Sequence, residues 1–129
     1  MKQVIDTGLP PLAQPFSWAV KASGLLFTAH GPVLPDGRIE TGSIEAQTRL
    51  TLANLSQALK AGGGHLSDVA QVLIYLTDMA DMPAVDAVYR EYFEPPYPNR
   101  SSVAVVALAV PGMRIELVAY ACVDAPRQA

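Results

Sequence analysis

Apolar and polar residues follow one another along this chain in short blocks, and the spacing of the apolar positions changes from strand-like to helical and back. Two mostly apolar runs, residues 16–20 and 25–29, flank the tetrapeptide KASG. Such runs around a short glycine-containing segment are typical of a β-hairpin, so we expect a turn at Gly24. The segment up to Pro15 is rich in glycine and proline, and it is predicted to form an irregular arm.

A helical pattern begins near Ile44. From Leu52 onward, leucines recur at positions i, i+3 and i+7, which places them on one side of a helix. Ser43 belongs to the residue types that cap helix N-termini. Glycines 62–64 end the pattern, because glycine is favoured just after a helix. The sequence therefore predicts a helix from Ile44 to the glycine triplet.

The second half of the chain predicts a strand, a helix and two further strands. Residues 69–77, VAQVLIYLT, are apolar at nearly every position, which is typical of a strand buried on both faces. A helix is expected from Asp81 to the two prolines at 95–96. Strands are expected at 101–110 and 113–123, joined by the turn Pro111-Gly112. That short turn predicts that the last two strands are antiparallel neighbours.

The predicted order of elements, ββ-α-β-α-ββ, indicates an α+β fold in which a single domain spans residues 1–129. A right-handed β-α-β crossover places both helices on one face of a mixed sheet. Because the strands are apolar on both faces, another surface must cover the face that the helices leave open. A homo-oligomer whose sheets pack together meets this requirement.

Composition narrows the possible partners. Half of the 129 residues are apolar, only 16% are charged, and the net charge is −3 without a cluster of lysine or arginine. Nucleic acids and anionic membranes are therefore not expected as partners, because proteins bind both through basic surfaces. A membrane span is not expected either, because no apolar run is long enough to cross a bilayer. The single cysteine, Cys122, excludes an internal disulfide, and His30 and His65 lack metal-ligand spacing. With no signal peptide visible, we expect a cytoplasmic protein without a metal.

Arg100 is the first candidate for chemistry. It follows a proline-rich bend and precedes the apolar run VAVVALAV, so a rigid backbone presents its guanidinium at the mouth of a strand. Guanidinium binds carboxylates through two parallel hydrogen bonds. On spacing alone, an ion pair that pins the loop, or an exposed arginine beside a turn, remains an alternative.

Glu116 is the second candidate. In the alternating strand MRIELVAYACV it shares a face with Val118 and Tyr120. A carboxylate in such a position must be paired, or else burial raises its pKa toward the range that suits a general acid or base. There are two alternatives: Arg114 neutralises the Glu116 carboxylate in a structural ion pair, or the start of this strand is exposed to solvent. With Arg100 at the same end of the sheet, Glu116 would form a small hydrolytic site.

Two weaker candidates are His30 and Asp86. His30 ends a strand before a Gly-Pro bend, where it lines a pocket or faces solvent. Asp86 lies off the apolar stripe of the second helix, which favours a solvated helix face. Neither position identifies a site by itself.

Five segments, in their order and spacing, carry a resemblance to one family: LLFTAHGPVLPDG, IEAQTRLTLANLSQAL, VLIYLTDMADMPAVDAVYREYF, PNRSSVAV and RIELVAYA. They resemble the Rid (YjgF/YER057c/UK114) family of reactive-intermediate deaminases, and the resemblance runs from Phe16 to Val123. It implies a chorismate-mutase-like α+β fold with two helices on one face of a mixed sheet. It also implies a homotrimer whose sheets form a central barrel, with sites in the clefts between subunits.

The resemblance implies a reaction as well. Members of the family hydrolyse reactive enamines and imines, such as 2-aminoacrylate, to a 2-oxo acid and ammonia without a metal or an organic cofactor. The chain is accordingly expected to be a 2-iminobutanoate/2-iminopropanoate deaminase. Arg100 falls on the family's signature arginine, which binds the substrate carboxylate. Glu116 falls on the glutamate that positions and activates water.

Several expected pocket residues depart from the family pattern. Ser102 stands where a cysteine is common, Phe16 where a tyrosine is common, and Asp86 where an asparagine is common. The family's Thr-Ser-Gly-Gln segment is replaced by Thr-Ala-His-Gly, which introduces Ala29 and His30. We expect these five residues to line the substrate pocket and to alter substrate choice.

Two other functions remain open at this point. One is a related deaminase for another small carboxylate such as 2-aminomuconate, with His30 as a second anion contact or a proton donor. The other is a non-catalytic trimer that binds a metabolite or offers a chaperone-like surface.

Overall fold

In the computed structural model, which describes residues 1–123, a six-stranded mixed sheet carries two helices on one face. The strand order across the sheet is β1-β2-β3-β6-β4-β5. The two helices are α1 (Ile44–Ala61) and α2 (Met82–Tyr92). The strands are β1 (Gln3–Val4), β2 (Ala19–Ala22), β3 (Leu25–His30), β4 (Val69–Leu76), β5 (Asn99–Ala104) and β6 (Ile115–Cys122).

The β2–β3 hairpin and the first helix form as the sequence predicts. Ser23 and Gly24 both have positive φ, 51° and 76°, which is the conformation of the tight turns that suit the twist of a hairpin. At the start of α1, the Ser43 side chain accepts a hydrogen bond from the backbone N–H of Ala46. The arm before β2, predicted to be irregular, contains the short strand β1 pairing with β2.

The hydrophobic core lies between the two helices and one face of the sheet. It is built from leucine, isoleucine and valine side chains that alternate inward along β3, β4 and β6 and line the inner sides of the helices. Its largest buried side chains are those of Leu26, Leu52, Leu55, Leu59, Ile74, Leu76, Ile115 and Leu117. None of the helices within residues 1–123 is long and apolar enough to cross a lipid bilayer.

The opposite face of the sheet, here called the open face, carries apolar side chains that one chain alone leaves partly exposed. Leu73 and Tyr75 of β4 lie there beside Val118 of β6. Phe27, on the same face, is 40% exposed and contacts Tyr120 edge to face. The strands are thus apolar on both faces, as predicted, but only one face is covered within the chain.

The prediction that the last two strands are neighbours was wrong. β4 lies between them, because β5 pairs parallel to β4 through the α2 crossover while β6 pairs antiparallel to both β3 and β4. β5 is also shorter than predicted. Ala104 lies opposite Leu76, the last residue of β4. The N–H of Val105 still donates to the Leu76 carbonyl, but the chain then leaves the sheet, and Val106 is fully exposed.

Candidate active site in two half-sites

The first half-site surrounds Arg100 on the helix-covered side of the sheet. Arg100 lies opposite the buried Val72, and its guanidinium extends toward α2. There its Nη1 lies 2.8 Å from Oδ1 of Asp86, and its central carbon lies 4.9 Å above the ring of Tyr89. We call the surrounding cavity of about 230 Å³ the arginine pocket; it is lined by Asp86, Tyr89, Arg90, Tyr97, Pro98 and Arg100.

Asp86 does not lie on a solvated helix face, which corrects the interpretation favoured from its place in the helix. Only 28% of its side chain is exposed. Asp86 and Tyr89 are three residues apart on α2, and this spacing directs both side chains to one side of the helix. That side faces the start of β5, so α2 supplies Arg100 with an anion and an aromatic face together. Burial raises the pKa of the Tyr89 hydroxyl, which favours its protonated form.

The second half-site surrounds Glu116 on the open face. Glu116 lies opposite Tyr75 at the start of β6, on the side of the sheet away from the helices. We call the adjacent cavity of about 240 Å³ the aromatic pocket. Apart from Glu116, its walls are mainly apolar or aromatic: Leu12, Gln14, Phe16, Trp18, Ala29, His30, Gly31, Val33, Ala109, Val110 and Met113.

The carboxyl of Glu116 is suited to proton transfer. Burial against the apolar walls raises its pKa above the ordinary value, because desolvation penalises the charged form. Arg114, the candidate for neutralising it, instead binds Asp81 through Nη2 at 2.8 Å. Glu116 is thus free of that structural ion pair and remains available to a ligand.

His30 and Trp18 form the inner wall of the aromatic pocket. Their rings stack 5.7 Å apart, and the indole of Trp18 meets Phe16 edge to face at 4.6 Å. The indole N–H donates a hydrogen bond to the carbonyl of Pro10, which fixes the Trp18 ring. His30 is 1% exposed, and burial lowers its pKa to about 3. Its ring is therefore neutral near pH 7, which favours a hydrogen-bonding role for His30 over a charged anion contact.

Two amide side chains of α1 hold the backbone around the aromatic pocket. Gln47 donates to the carbonyl of Gly112 and accepts from the N–H of Arg114, both at 2.8 Å, just before Glu116. Two helical turns later, Asn54 donates to the carbonyls of Gly31 and Val33. These bonds satisfy buried backbone groups in irregular segments and so fix the walls of the pocket.

The two half-sites of one chain do not meet, contrary to the prediction that Arg100 and Glu116 share one end of the sheet. Arg100 is level with Val72 of β4, whereas Glu116 is level with Tyr75 on the far side of the same strand. Three residues along a strand and two strand spacings separate their backbones by roughly 14 Å. Their side chains also point to opposite faces.

The other predicted residues are divided between the same two regions. Phe16, Ala29 and His30 line the aromatic pocket, with Phe16 exposed. Ser102 lies two residues after Arg100 on the same strand face, outside the lining of the arginine pocket. The roles of Trp18 and Tyr97 were missed. A single aromatic residue in an irregular segment has no periodic pattern around it, so the sequence does not show whether its side chain lines a pocket or packs in the core.

No group of three or more histidine, cysteine, aspartate or glutamate side chains in residues 1–123 is arranged to hold a metal ion. The chemical groups at hand are the Arg100 guanidinium, the Glu116 carboxyl and the neutral imidazole of His30. They can bind an anion, move a proton and donate or accept a hydrogen bond, respectively.

Comparison with known families adds the decisive observation. Residues 8–123, nearly the whole chain, match the family described as Endoribonuclease L-PSP. The chain belongs to this family, the YjgF or Rid family. The segments that suggested it therefore identified it correctly, and the α+β fold with two helices on one sheet face is confirmed.

Individual Rid-family proteins are similar over most of their length. A RutC family protein of Pyrococcus horikoshii is 41% identical, with 93% of this chain and 98% of the relative aligned. The 2-iminobutanoate/2-iminopropanoate deaminase of Dermatophagoides farinae is 31% identical, with 83% and 86% aligned. A crystal structure of a Rid-family protein of unknown function, YyfA from Yersinia pestis, superposes with a TM-score of 0.89 at 31% identity, covering 95% of this chain and all of that one. At the level of the family, these relationships support deamination of imines or enamines.

Proposed function

We propose that this chain hydrolyses small imine or enamine intermediates that carry a carboxylate, of the 2-iminobutanoate/2-iminopropanoate kind. The observation that carries the proposal is the chemistry of the two half-sites: a guanidinium that can bind a carboxylate and a desolvated glutamate that can move a proton. The Dermatophagoides farinae relative bears the name of this activity. We expect the pocket residues that depart from the family pattern to determine which substrate side chain is preferred.

The reaction needs little beyond positioning and proton transfer. Arg100 holds the carboxylate, which removes much of the entropic cost of orienting the imine. Glu116 takes a proton from water as the oxygen attacks the imine carbon and passes it to the nitrogen, which gives a carbinolamine. Glu116 then moves the hydroxyl proton of the carbinolamine to the nitrogen, the C–N bond breaks as the C=O bond forms, and ammonia leaves a 2-oxo acid. The sum is one imine and one water giving one carbonyl compound and one ammonia.

An in situ assay tests the proposed activity. Because 2-aminoacrylate is short-lived, a dehydratase can generate it from serine in the presence of the purified chain. We expect the imine to disappear faster than in buffer, with ammonia and pyruvate released in equal amounts. A rate equal to that of buffer would exclude this substrate. Acceleration with 2-aminomuconate alone would favour the alternative deaminase.

We further propose that the working unit is a homotrimer in which Arg100 of one subunit serves Glu116 of the next. The support is that one chain separates the two residues onto opposite sheet faces and leaves an apolar face open. A surface of this kind is unusual on a monomer. An assembly that covers the open face would also bring a neighbouring chain to the aromatic pocket at its edge.

Mixing two inactive variants tests this division of the site. Arg100→Gln and Glu116→Gln chains, unfolded and refolded together in equal amounts, are expected to recover about one quarter of the wild-type activity, because a quarter of random subunit pairs unite two intact residues. Each variant refolded alone provides the control. If both residues belonged to one chain's site, the mixture would stay inactive. Light scattering should give three times the chain mass of 13.7 kDa.

Ribonuclease activity, which the family's description mentions, is not favoured. The net charge is −3, and RNA binding depends on a basic surface. A non-catalytic metabolite-binding trimer would bind carboxylates without turnover, and the imine assay separates the two.

A further inference from the structure

The arginine pocket already contains a carboxylate of the chain itself, and the deaminase reaction does not require one there. Asp86 Oδ1 lies 2.8 Å from Arg100 Nη1 inside a cavity that opens to solvent. We propose that Asp86 sets the affinity of the arginine pocket for carboxylate ligands by competing with them for Arg100. The inference rests on the proposed function, in which Arg100 anchors the substrate carboxylate.

The contact between the two residues is close but does not occupy the guanidinium. The N–H bonds of Arg100 are not aligned on Asp86, and Asp86 Oδ1 is a buried atom without a hydrogen-bond partner within residues 1–123. The pair is therefore a contact between charges rather than a bidentate bridge. Arg100 therefore keeps hydrogen-bond donors for an incoming carboxylate, but that ligand must share the positive charge of the guanidinium with Asp86, which repels it.

Burial makes this repulsion effective. The side chains of Arg100 and Asp86 are 27% and 28% exposed, so water screens them less than it screens surface charges. The residues that line the pocket carry two positive charges, on Arg90 and Arg100, and one negative charge, on Asp86. A ligand carboxylate bound to Arg100 would lie close to Asp86, and like charges at such distances disfavour one another.

The expected consequence is weak binding of carboxylates in general. A 2-oxo acid product, which keeps the carboxylate of its imine, would be held loosely and released quickly. An asparagine at this position would keep the shape of Asp86 and its hydrogen-bonding oxygen without the charge. Asp86 thus lowers the affinity of the pocket for both substrate and product. Faster release of product then benefits turnover when the substrate concentration is high.

Titration of 2-oxobutanoate by calorimetry at fixed ionic strength tests the inference. We expect Asp86→Asn to bind this acid about tenfold more tightly than wild type, the factor that corresponds to 1.4 kcal/mol. The uncharged 2-oxobutanamide should bind both proteins equally, because it carries no carboxylate. In the imine assay, Asp86→Asn should lower KM and leave kcat unchanged or reduced.

Glu91→Gln is the matched control, because it removes one negative charge from the same helix at an exposed position paired with Arg49. It should leave the affinity for 2-oxobutanoate unchanged. Asp86→Ala serves as a second variant, and circular dichroism shows that each variant is folded.

The possible outcomes separate the inference from the function on which it rests. Unchanged or weaker binding by Asp86→Asn, with binding lost in Arg100→Gln, would overturn the competition and identify Asp86 as a residue that positions Arg100. Full binding by Arg100→Gln would overturn the anchoring role itself, and the inference with it.

Discussion

Replacing Arg100 with lysine is expected to lower kcat/KM for imines that carry a carboxylate by about 100-fold, with the fold retained. Lysine keeps the positive charge beside Asp86, so no carboxylate is left unpaired. It loses the planar fork that binds a carboxylate with two hydrogen bonds, and one hydrogen bond to a charged group contributes about 1.5–3 kcal/mol. Steady-state kinetics on imines generated in situ measure the effect.

Arg38→Lys controls for the substitution itself. Arg38 forms an exposed pair with Asp36 in a turn, at 2.7 Å, away from both pockets. Its kinetics should match those of wild type, because exposed ion pairs contribute little. Wild-type kcat/KM in Arg100→Lys would show that this residue does not anchor the carboxylate.

Substituting Glu116 with glutamine should reduce kcat by about 10²- to 10⁴-fold, the usual contribution of a positioned acid or base. The amide keeps the shape of the side chain but cannot accept a proton from water. Because burial raises the pKa of Glu116, wild-type activity should fall with decreasing pH through a pKa above the ordinary glutamate value. The residual activity of the variant should lack this acidic limb.

The same substitution should change stability in the opposite direction to activity. A carboxyl whose pKa is raised in the folded state destabilises the fold once pH exceeds its unfolded pKa, and fully so above the folded pKa. Glu116→Gln should therefore be more stable than wild type at pH 7, and equally stable at low pH where Glu116 is protonated. Denaturant unfolding at pH 4 and pH 7 measures this, with Glu45→Gln as a control on α1. Equal stability at both pH values would show that Glu116 is not desolvated.

The expected gain in stability and loss of activity in Glu116→Gln fit a glutamate that the surrounding structure holds in an unfavourable position. Gln47 and Asn54 fix the backbone on both sides of the aromatic pocket through four hydrogen bonds. Apolar walls then surround a carboxyl that would be more stable in water. The chain thus maintains an unfavourable charge at the position where proton transfer is proposed.

The local elements could be predicted from the sequence because each depends on neighbours close in the chain. The leucine spacing of α1, its Ser43 cap and the turn at Gly24 all appear as expected. Alternating β6 correctly placed Glu116 on a face with Val118 and Tyr120. The residue types of Arg100 and Glu116, with the family resemblance, also predicted the chemistry that we propose for the two pockets.

Only the tertiary structure decided how these residues combine. Strand order depends on contacts far apart in sequence, and β6 enters the sheet between β3 and β4 although a short connection from β5 suggested a hairpin. A strand's register determines which face each side chain occupies, and local periodicity does not fix that register against a distant partner. This is why Arg100 faces the helices and Asp86, while Glu116 faces the open side. Arg100 and Glu116 could be chosen as candidates from the sequence alone, and the long-range pairing of the strands places them in two half-sites on opposite faces of the sheet.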